Sequence, residues 1–252
     1  MKKILLLLIL VTQISIAQKN DSFSATYTYV NLGLDEIGTL KLNIRNSESL
    51  SIFQMNDQNK KDEFENEEGF NIEINGNDKI GKRVYKNLAD KKIIFRDVYS
   101  KDGNLKPCIV SENLPNFIWV LGVKEKKIGT YICKSAELNF RGRDYIAWYT
   151  PKIPTSHGPW KFYGLPGMIL EIKSKDGNIS FTLNKIEESY FNESEIKKPN
   201  DGDKITFDEY VVSKKESVNE FLKKLMVKLP RGAKITMNSE PKNFNIETNF
   251  DN

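Results

Sequence analysis

The chain has 252 residues, with 38 Lys and Arg against 34 Asp and Glu, one histidine and two cysteines. A charge so near neutral, and so interspersed, leaves no concentrated basic face, which argues against nucleic acid and anionic membrane surfaces as partners. One His and two separated Cys cannot supply a structural zinc set, HExxH and CxxC are both absent, and no metal or cofactor is expected.

Residues 1–17 have the pattern of a secretory leader. Lys2 and Lys3 precede the apolar run Ile4 to Val11, and Ser15-Ile16-Ala17 precedes a cut at Gln18. The run is too short to span a bilayer. No cysteine follows the cut to take a lipid anchor, and no later stretch reaches membrane-spanning length. The expectation is an exported chain, in the periplasm or cell envelope or secreted, with no transmembrane segment and a single domain over 18–252. In an oxidising compartment Cys108 and Cys133 most simply form one disulfide. The alternative is two buried thiols on strands.

From Ala25 the pattern is that of antiparallel strands. Ala25 to Val30 is rich in β-formers. Leu40, Leu42 and Ile44 alternate with polar residues, the period-two signal of a half-buried strand. Leu50 to Met55 forms the next strand. Residues 56–69 are charged and poor in apolar side chains, which fits a surface loop; they lack the spacing of a calcium loop. Phe70, Ile72 and Ile74 alternate again and end at the hairpin signal Asn75-Gly76-Asn77. Strands are predicted at Arg83–Tyr85, Lys92–Tyr99 and Leu105–Ser111, then a short apolar strand or turn at Asn116–Leu121 that should bury Trp119, and a further segment of strand character at Lys127–Leu138. Near the C-terminus the period changes. Thr206-Phe207-Asp208-Glu209 is a capping box, and helical spacing follows over about 207–229 until Pro230. The predicted fold is mainly β (α+β): a large curved antiparallel sheet or half-barrel with one amphipathic C-terminal helix on its concave face. A β-sandwich is the alternative.

The most specific stretch is Phe140 to Ile172. Its first strand sets Tyr145, Ala147 and Tyr149 on one face, and Thr150-Pro151 ends it. About 17 residues of Gly- and Pro-rich connection follow, in which Gly158, Pro159, Gly164, Pro166 and Gly167 are assigned to shaping a stiff loop. So long an irregular connection is usually functional or unusually well packed. Gly164-Leu165-Pro166-Gly167-Met168-Ile169 resembles the signature of the GLPGLI family of exported Bacteroidetes proteins. Supporting residues are Lys127-Ile128-Gly129, Tyr131, Cys133-Lys134 and Ala136, then Phe140-Arg141-Gly142-Arg143, Ala147-Trp148-Tyr149-Thr150, Ile153-Pro154, Gly158-Pro159, Lys161-Phe162 and Leu170-Glu171-Ile172. The likeness covers about 117–186. Met168 stands where the family name has leucine, a volume-conserving change. The resemblance implies a periplasmic or surface location in Bacteroidetes. It implies no activity, and no functional residue is carried over.

No catalytic residue is assigned. His157, the one histidine, would need a nucleophile and an orienting acid to act as a base. There is no GxSxG, and neighbouring Ser156 need not face it, so an exposed loop histidine is expected. Ser194-Glu195-Ile196-Lys197 has serine–lysine spacing without the companion motifs. Arg141, Arg143, Asp144 and Glu171 either line a polar entrance or form cross-strand pairs such as Arg143–Glu171. Trp148 is expected in the core. Trp160 and Phe162, with Tyr163 and Leu165, either pack inward or form the lip of an apolar pocket or partner surface. Three functions follow. The first is binding of an apolar or lipid-like ligand in a sheet-and-helix cavity. The second is an accessory role in an outer-membrane receptor or secretion complex. The third is hydrolysis through His157.

Overall fold

The computed structural model describes residues 22–32, 36–55, 78, 80–101, 104–188, 195–214, 216 and 247. The leader, the charged stretch 56–69, the Asn75–Asn77 turn, Ser194 and the helical pattern beyond residue 216 lie outside them. Twelve strands run in order through the described residues. They are β1 (Ser22–Asn31), β2 (Glu36–Arg45), β3 (Glu48–Met55), β4 (Arg83–Asn87), β5 (Lys92–Lys101), β6 (Asn104–Asn113), β7 (Val120–Ile128), β8 (Tyr131–Phe140), β9 (Arg143–Thr150), β10 (Met168–Ser174), β11 (Ile179–Glu188) and β12 (Asp203–Ile205). Residues 207–214 form the helix α1.

All twelve belong to one sheet, ordered β12-β6-β5-β4-β3-β2-β1-β11-β10-β9-β8-β7. Neighbours pair antiparallel except β12, which runs parallel to β6. The mainly-β antiparallel class with one helix is therefore the observed one, and the sheet is a single continuous one rather than the two of a sandwich. It is open, because β12 and β7 are its edges. It is also bent. Residues 114–119 alone join β6, the second strand in the order, to β7, the twelfth. Such a link reaches at most about 25 Å, whereas ten flat strand spacings would need roughly 48 Å. The chain closes that distance only if the two ends of the sheet turn toward each other.

Strand alternation sets the inner face. Ala25, Tyr27 and Tyr29 of β1 lie beside Leu42 and Leu40 of β2 and Phe181 of β11. All are buried in the main core with Phe53, Val84, Phe95, Tyr145, Ala147 and Ile172. Period-two alternation in the sequence therefore reads out directly as inside and outside. A smaller cluster on the other face packs Ile196 against Leu50 and Tyr85. Arg96 fixes the same segment there, donating to Asp201 and to Asp78.

Two predicted boundaries move. Lys127–Leu138 is not one strand, since Gly129, at φ +57°, turns the chain between β7 and β8. Of the strand-or-turn segment Asn116–Leu121, residues 116–119 are an irregular link and Val120–Leu121 open β7, with Trp119 half-buried. The capping box is formed as read. The Thr206 hydroxyl accepts from Glu209 N at 3.1 Å and the Glu209 carboxylate accepts from Thr206 N at 2.7 Å. α1 places Tyr210 over Phe95 at 5.1 Å, so its start lies on the concave face.

The predicted disulfide is absent: Cys108 and Cys133 are free and buried. The two lie on different strands that do not pair with each other. Cys108 sits on β6 opposite Asp97, whereas Cys133 sits on β8, eleventh in the order, opposite Lys126. Burial raises the Cys108 thiol to about 12, which suppresses thiolate and hence exchange. A reductant should therefore leave the melting temperature unchanged. Alkylation after denaturation, without reduction, should label both cysteines; a doubly unlabelled chain would restore the disulfide.

Candidate functional site

The middle of the connection 151–167 leaves the surface and enters the concave side of the sheet, while Pro151, Lys152, Pro154, Gly164 and Pro166 stay exposed. His157 through Phe162, Leu165 and Gly167 are all buried. Phe162 is at its centre and meets the rings of Tyr145 at 4.9 Å, Trp160 at 5.1 Å, Phe117 at 6.2 Å and Phe181 at 6.3 Å. Trp160 and Phe162 therefore form no lip; they are core residues carried on a loop. Trp148 points the other way and is half-buried, with the Lys126 ammonium 5.5 Å from its ring. Tyr163 is half-buried too. Its hydroxyl donates to Pro115 O at 2.5 Å and its own carbonyl accepts from Trp119 Nε1 at 2.9 Å.

A buried loop must find partners for its backbone, since water cannot reach it. Part of the answer is local. Gly164 N donates to Ser156 O at 2.8 Å, Phe162 N to Pro159 O at 3.1 Å and Met168 N to Ile153 O at 3.1 Å. Two further carbonyls are served by Lys86 on β4, whose ammonium is fully buried and donates to Gly158 O at 2.6 Å and Phe162 O at 2.7 Å. Burial lowers the Lys86 pKa well below its ordinary value. The glycines are explained by space. A Cβ on Gly167, at φ +143°, would lie 2.2 Å from Thr150 O, and one on Gly158 would lie 2.7 Å from Ile169 Cδ1.

Next to Phe162 lies a closed group of four charges. Lys161 Nζ is 2.5 Å from Glu112 Oε1 on β6 and 2.9 Å from Glu247 Oε1. Arg141, in the β8–β9 turn, is 2.7 Å from Glu112 Oε2 and also pairs with Glu247. Aromatic faces complete the surroundings. Lys161 lies 4.3 Å from the Phe95 ring centre, and Arg141 lies 4.4 Å from that of Phe207. Burial opposes charge on Glu112, but Lys161 and Arg141 outweigh it and hold the carboxyl below its usual range. Nearby Asp97 accepts from the Tyr210 hydroxyl at 2.6 Å. Burial opposes its charge too, yet Lys214, Lys82 and that hydroxyl hold it at about 2.

The remaining predicted site residues do not converge. Arg143 pairs with Asp176 rather than Glu171. Glu171 faces the other side, 2.8 Å from Lys126 and 3.5 Å from Lys173. His157 is buried, not exposed. Its Nε2 is 3.2 Å from Asn46 O, and its Nδ1 has no hydrogen-bond partner among the described residues. Its backbone N–H donates to the Thr155 hydroxyl at 3.3 Å, but among the described residues no hydroxyl, thiol or carboxylate hydrogen-bonds to the imidazole, so none is paired with it as a nucleophile. No group of three or more His, Cys, Asp or Glu among them is placed to hold a metal. Sequence reasoning does not single out Lys86, Lys161, Glu112 or Glu247. The available signal for Lys86 is its parity with Val84 on an alternating strand, which puts a charge on the apolar face.

One surface feature is also missing from the sequence reading. Among the described residues β7 is an edge strand, and on and beside it Ile118, Val120, Leu121 and Val123 are 76%, 66%, 57% and 99% exposed, while Ile132 of β8, 61% exposed, lies further along, opposite Lys127. Apolar side chains clustered at an unpaired sheet edge mark a contact surface far more often than single exposed ones do.

Comparison with known proteins gives a partial match. A family model described as "Protein of unknown function (Porph_ging)" matches residues 141–171, the turn of Arg141, β9, the buried loop and the start of β10. No curated protein matches. Among solved structures, PNGF-II in a C2 crystal form superposes with a TM-score of 0.51 at 13% identity, over 78% of this chain and 33% of that one. A P21 form of PNGF-II gives 0.50 at 14%. An uncharacterised conserved protein from Thermus thermophilus gives 0.40 at 10%, over 79% of this chain and 98% of that one. The likeness to PNGF-II concerns the fold alone, and this chain spans about a third of its length.

Two measurements check the packing and the histidine. Phe162→Ala should cost about 3–5 kcal/mol of unfolding free energy, as expected for a fully buried phenylalanine; a loss under about 1 kcal/mol would mean that the loop is not core. Burial, then the nearby Lys86 charge, depress the His157 pKa from 6.5 to about 3. The folded state therefore binds fewer protons than the unfolded one between those values. The stability due to neutral His157 is complete above pH 6.5 and is lost as pH falls toward 3, at no more than about 1.4 kcal/mol per pH unit. His157→Gln should remove the slope between pH 6.5 and 5; chemical denaturation that shows an unchanged slope would contradict this placement.

Proposed function

We propose that this is an exported cell-envelope protein of the GLPGLI type that works by binding another macromolecule at the β7 edge. The carrying observation is the run of exposed apolar side chains Ile118, Val120, Leu121 and Val123, on and beside the strand that ends the sheet among the described residues. Export rests on the leader pattern of residues 1–17, and family membership on the GLPGMI stretch together with the match over 141–171. No helix among the described residues is long and apolar enough to cross a membrane.

An apolar or lipid-like ligand under the loop has less support, because Trp160, Phe162 and Leu165 fill that side of the sheet themselves. Hydrolysis through His157 has none, given its burial and its carbonyl partner. A photo-crosslinking residue at Val123, in cells that express the protein natively, should give a discrete adduct. Leu121→Lys should abolish it, and a probe at exposed Ile37 should not give it. The recovered chain should begin at Gln18 and fractionate with the envelope. Equal adducts from both positions, or none from Val123, would reject β7 as the contact surface; a cytosolic chain that retains Met1 would reject export.

A further inference from the structure

The chemistry of the β7 edge defines its partner more closely, provided that β7 is the recognition surface proposed for it. β7 changes character along its length. Val120, Leu121 and Val123 precede Lys124, Lys126 and Lys127, with Glu125 as the one carboxylate of the strand. Glu125 lies opposite Lys134 of β8, and Lys126 reaches Glu171. Lys124 and Lys127 are exposed and have no ion pair among the described residues. From Glu125 to Ile128 the strand pairs with β8 in unbroken register, Glu125 with Lys134 through Ile128 with Tyr131; the register shift lies between Leu121 and Glu125. The basic half thus has regular strand geometry, with no further strand on its outer side among the described residues. The apolar half lies at the irregularity, where it offers side chains more than a straight ladder.

We propose that β7 receives an extended segment of another protein by strand addition. That segment carries carboxylates opposite Lys124–Lys127 and apolar side chains against Ile118–Val123. Main-chain bonds would supply affinity, and the alternating side chains specificity. A second copy of this chain fits poorly. Antiparallel self-pairing about Lys124, the middle of β7, sets Lys124 opposite Lys124 and Leu121 opposite Lys127, and parallel self-pairing sets lysine beside lysine, which is unfavourable.

The probe is the peptide Glu-Val-Glu-Val-Glu-Val-Thr-Val-Thr-Val, fused to a soluble monomeric carrier, and the same peptide in reverse order. One of the two should bind the exported chain with a micromolar Kd. Affinity should fall about tenfold or more between about 0.05 and 0.5 M salt, with the double change Lys124→Glu and Lys127→Glu, and on replacing glutamate by lysine in the peptide. Methylation of alternate backbone nitrogens in the peptide should abolish binding with no change to the protein. Lys185→Glu, on β11, should leave binding unaltered. Four results would overturn the proposal. They are undiminished binding of the N-methylated peptide, undiminished binding to the charge-reversed protein, self-association that Val123→Lys abolishes, and binding to phosphatidylglycerol vesicles without binding to either peptide. If Val123 crosslinks in cells while neither peptide binds, β7 remains the recognition surface and an acidic, extended partner segment is ruled out.

Discussion

The structure depends on burying an irregular stretch of backbone. Loops normally stay at the surface because their N–H and C=O groups need water. Here the segment from His157 to Phe162 lies inside the sheet, and Phe162 is its anchor. Burying a phenylalanine is favourable by roughly 1.5–3 kcal/mol, but it draws the carbonyls of Gly158 and Phe162 out of water as well. An orphaned buried acceptor costs about 1–3 kcal/mol, so two of them would cancel the gain. Lys86 removes that cost by donating to both. Its ammonium is desolvated in return, which is why burial lowers its pKa.

The bend of the sheet follows from the same arrangement. A loop large enough to carry Trp160, Phe162 and Leu165 into the interior needs a concave face to receive it. The four-charge group holds that face closed: Glu112 comes from the second strand in the order, and Arg141 from the turn between the tenth and eleventh. Lys161, on the buried loop, bridges Glu112 and Glu247. Buried ion pairs are poor sources of net stability but costly to break singly. This set therefore fixes one arrangement of sheet ends, loop and the residue Glu247, while the aromatic core supplies the free energy.

The strands are legible in the sequence because alternation survives in them. Leu40, Leu42 and Ile44 and Tyr145, Ala147 and Tyr149 point inward as their spacing implies. The capping box at Thr206 is legible because it is local. What is lost is what depends on strand order. Nothing in the sequence says that β1 pairs with β11, so nothing separates Cys108 from Cys133, and a pair of cysteines looks like a disulfide. The same gap hides the partners of Arg143 and Glu171. The glycines and prolines mark the loop as special, yet they do not give its direction. A tryptophan and a phenylalanine flanking a lysine read equally well as a surface lip or as core; only the fold supplies the carboxylates that let Lys161 go inside. The β7 edge escapes notice for a related reason. Val120, Leu121 and Val123 look like core residues until the strand is known to be the last.

If the loop is a structural plug, packing accounts for the glycine- and proline-rich motif that marks the family likeness, as the proposal of a contact surface at β7 requires. Native-state hydrogen exchange on the backbone amides of Phe162, Gly164 and Met168 tests this most directly. With the loop as part of the core, these amides exchange through global opening, at the rate of the β1 and β10 amides. Exchange orders of magnitude faster than in those strands would show a loop that opens independently of the sheet, and would return the binding site to the space beneath it.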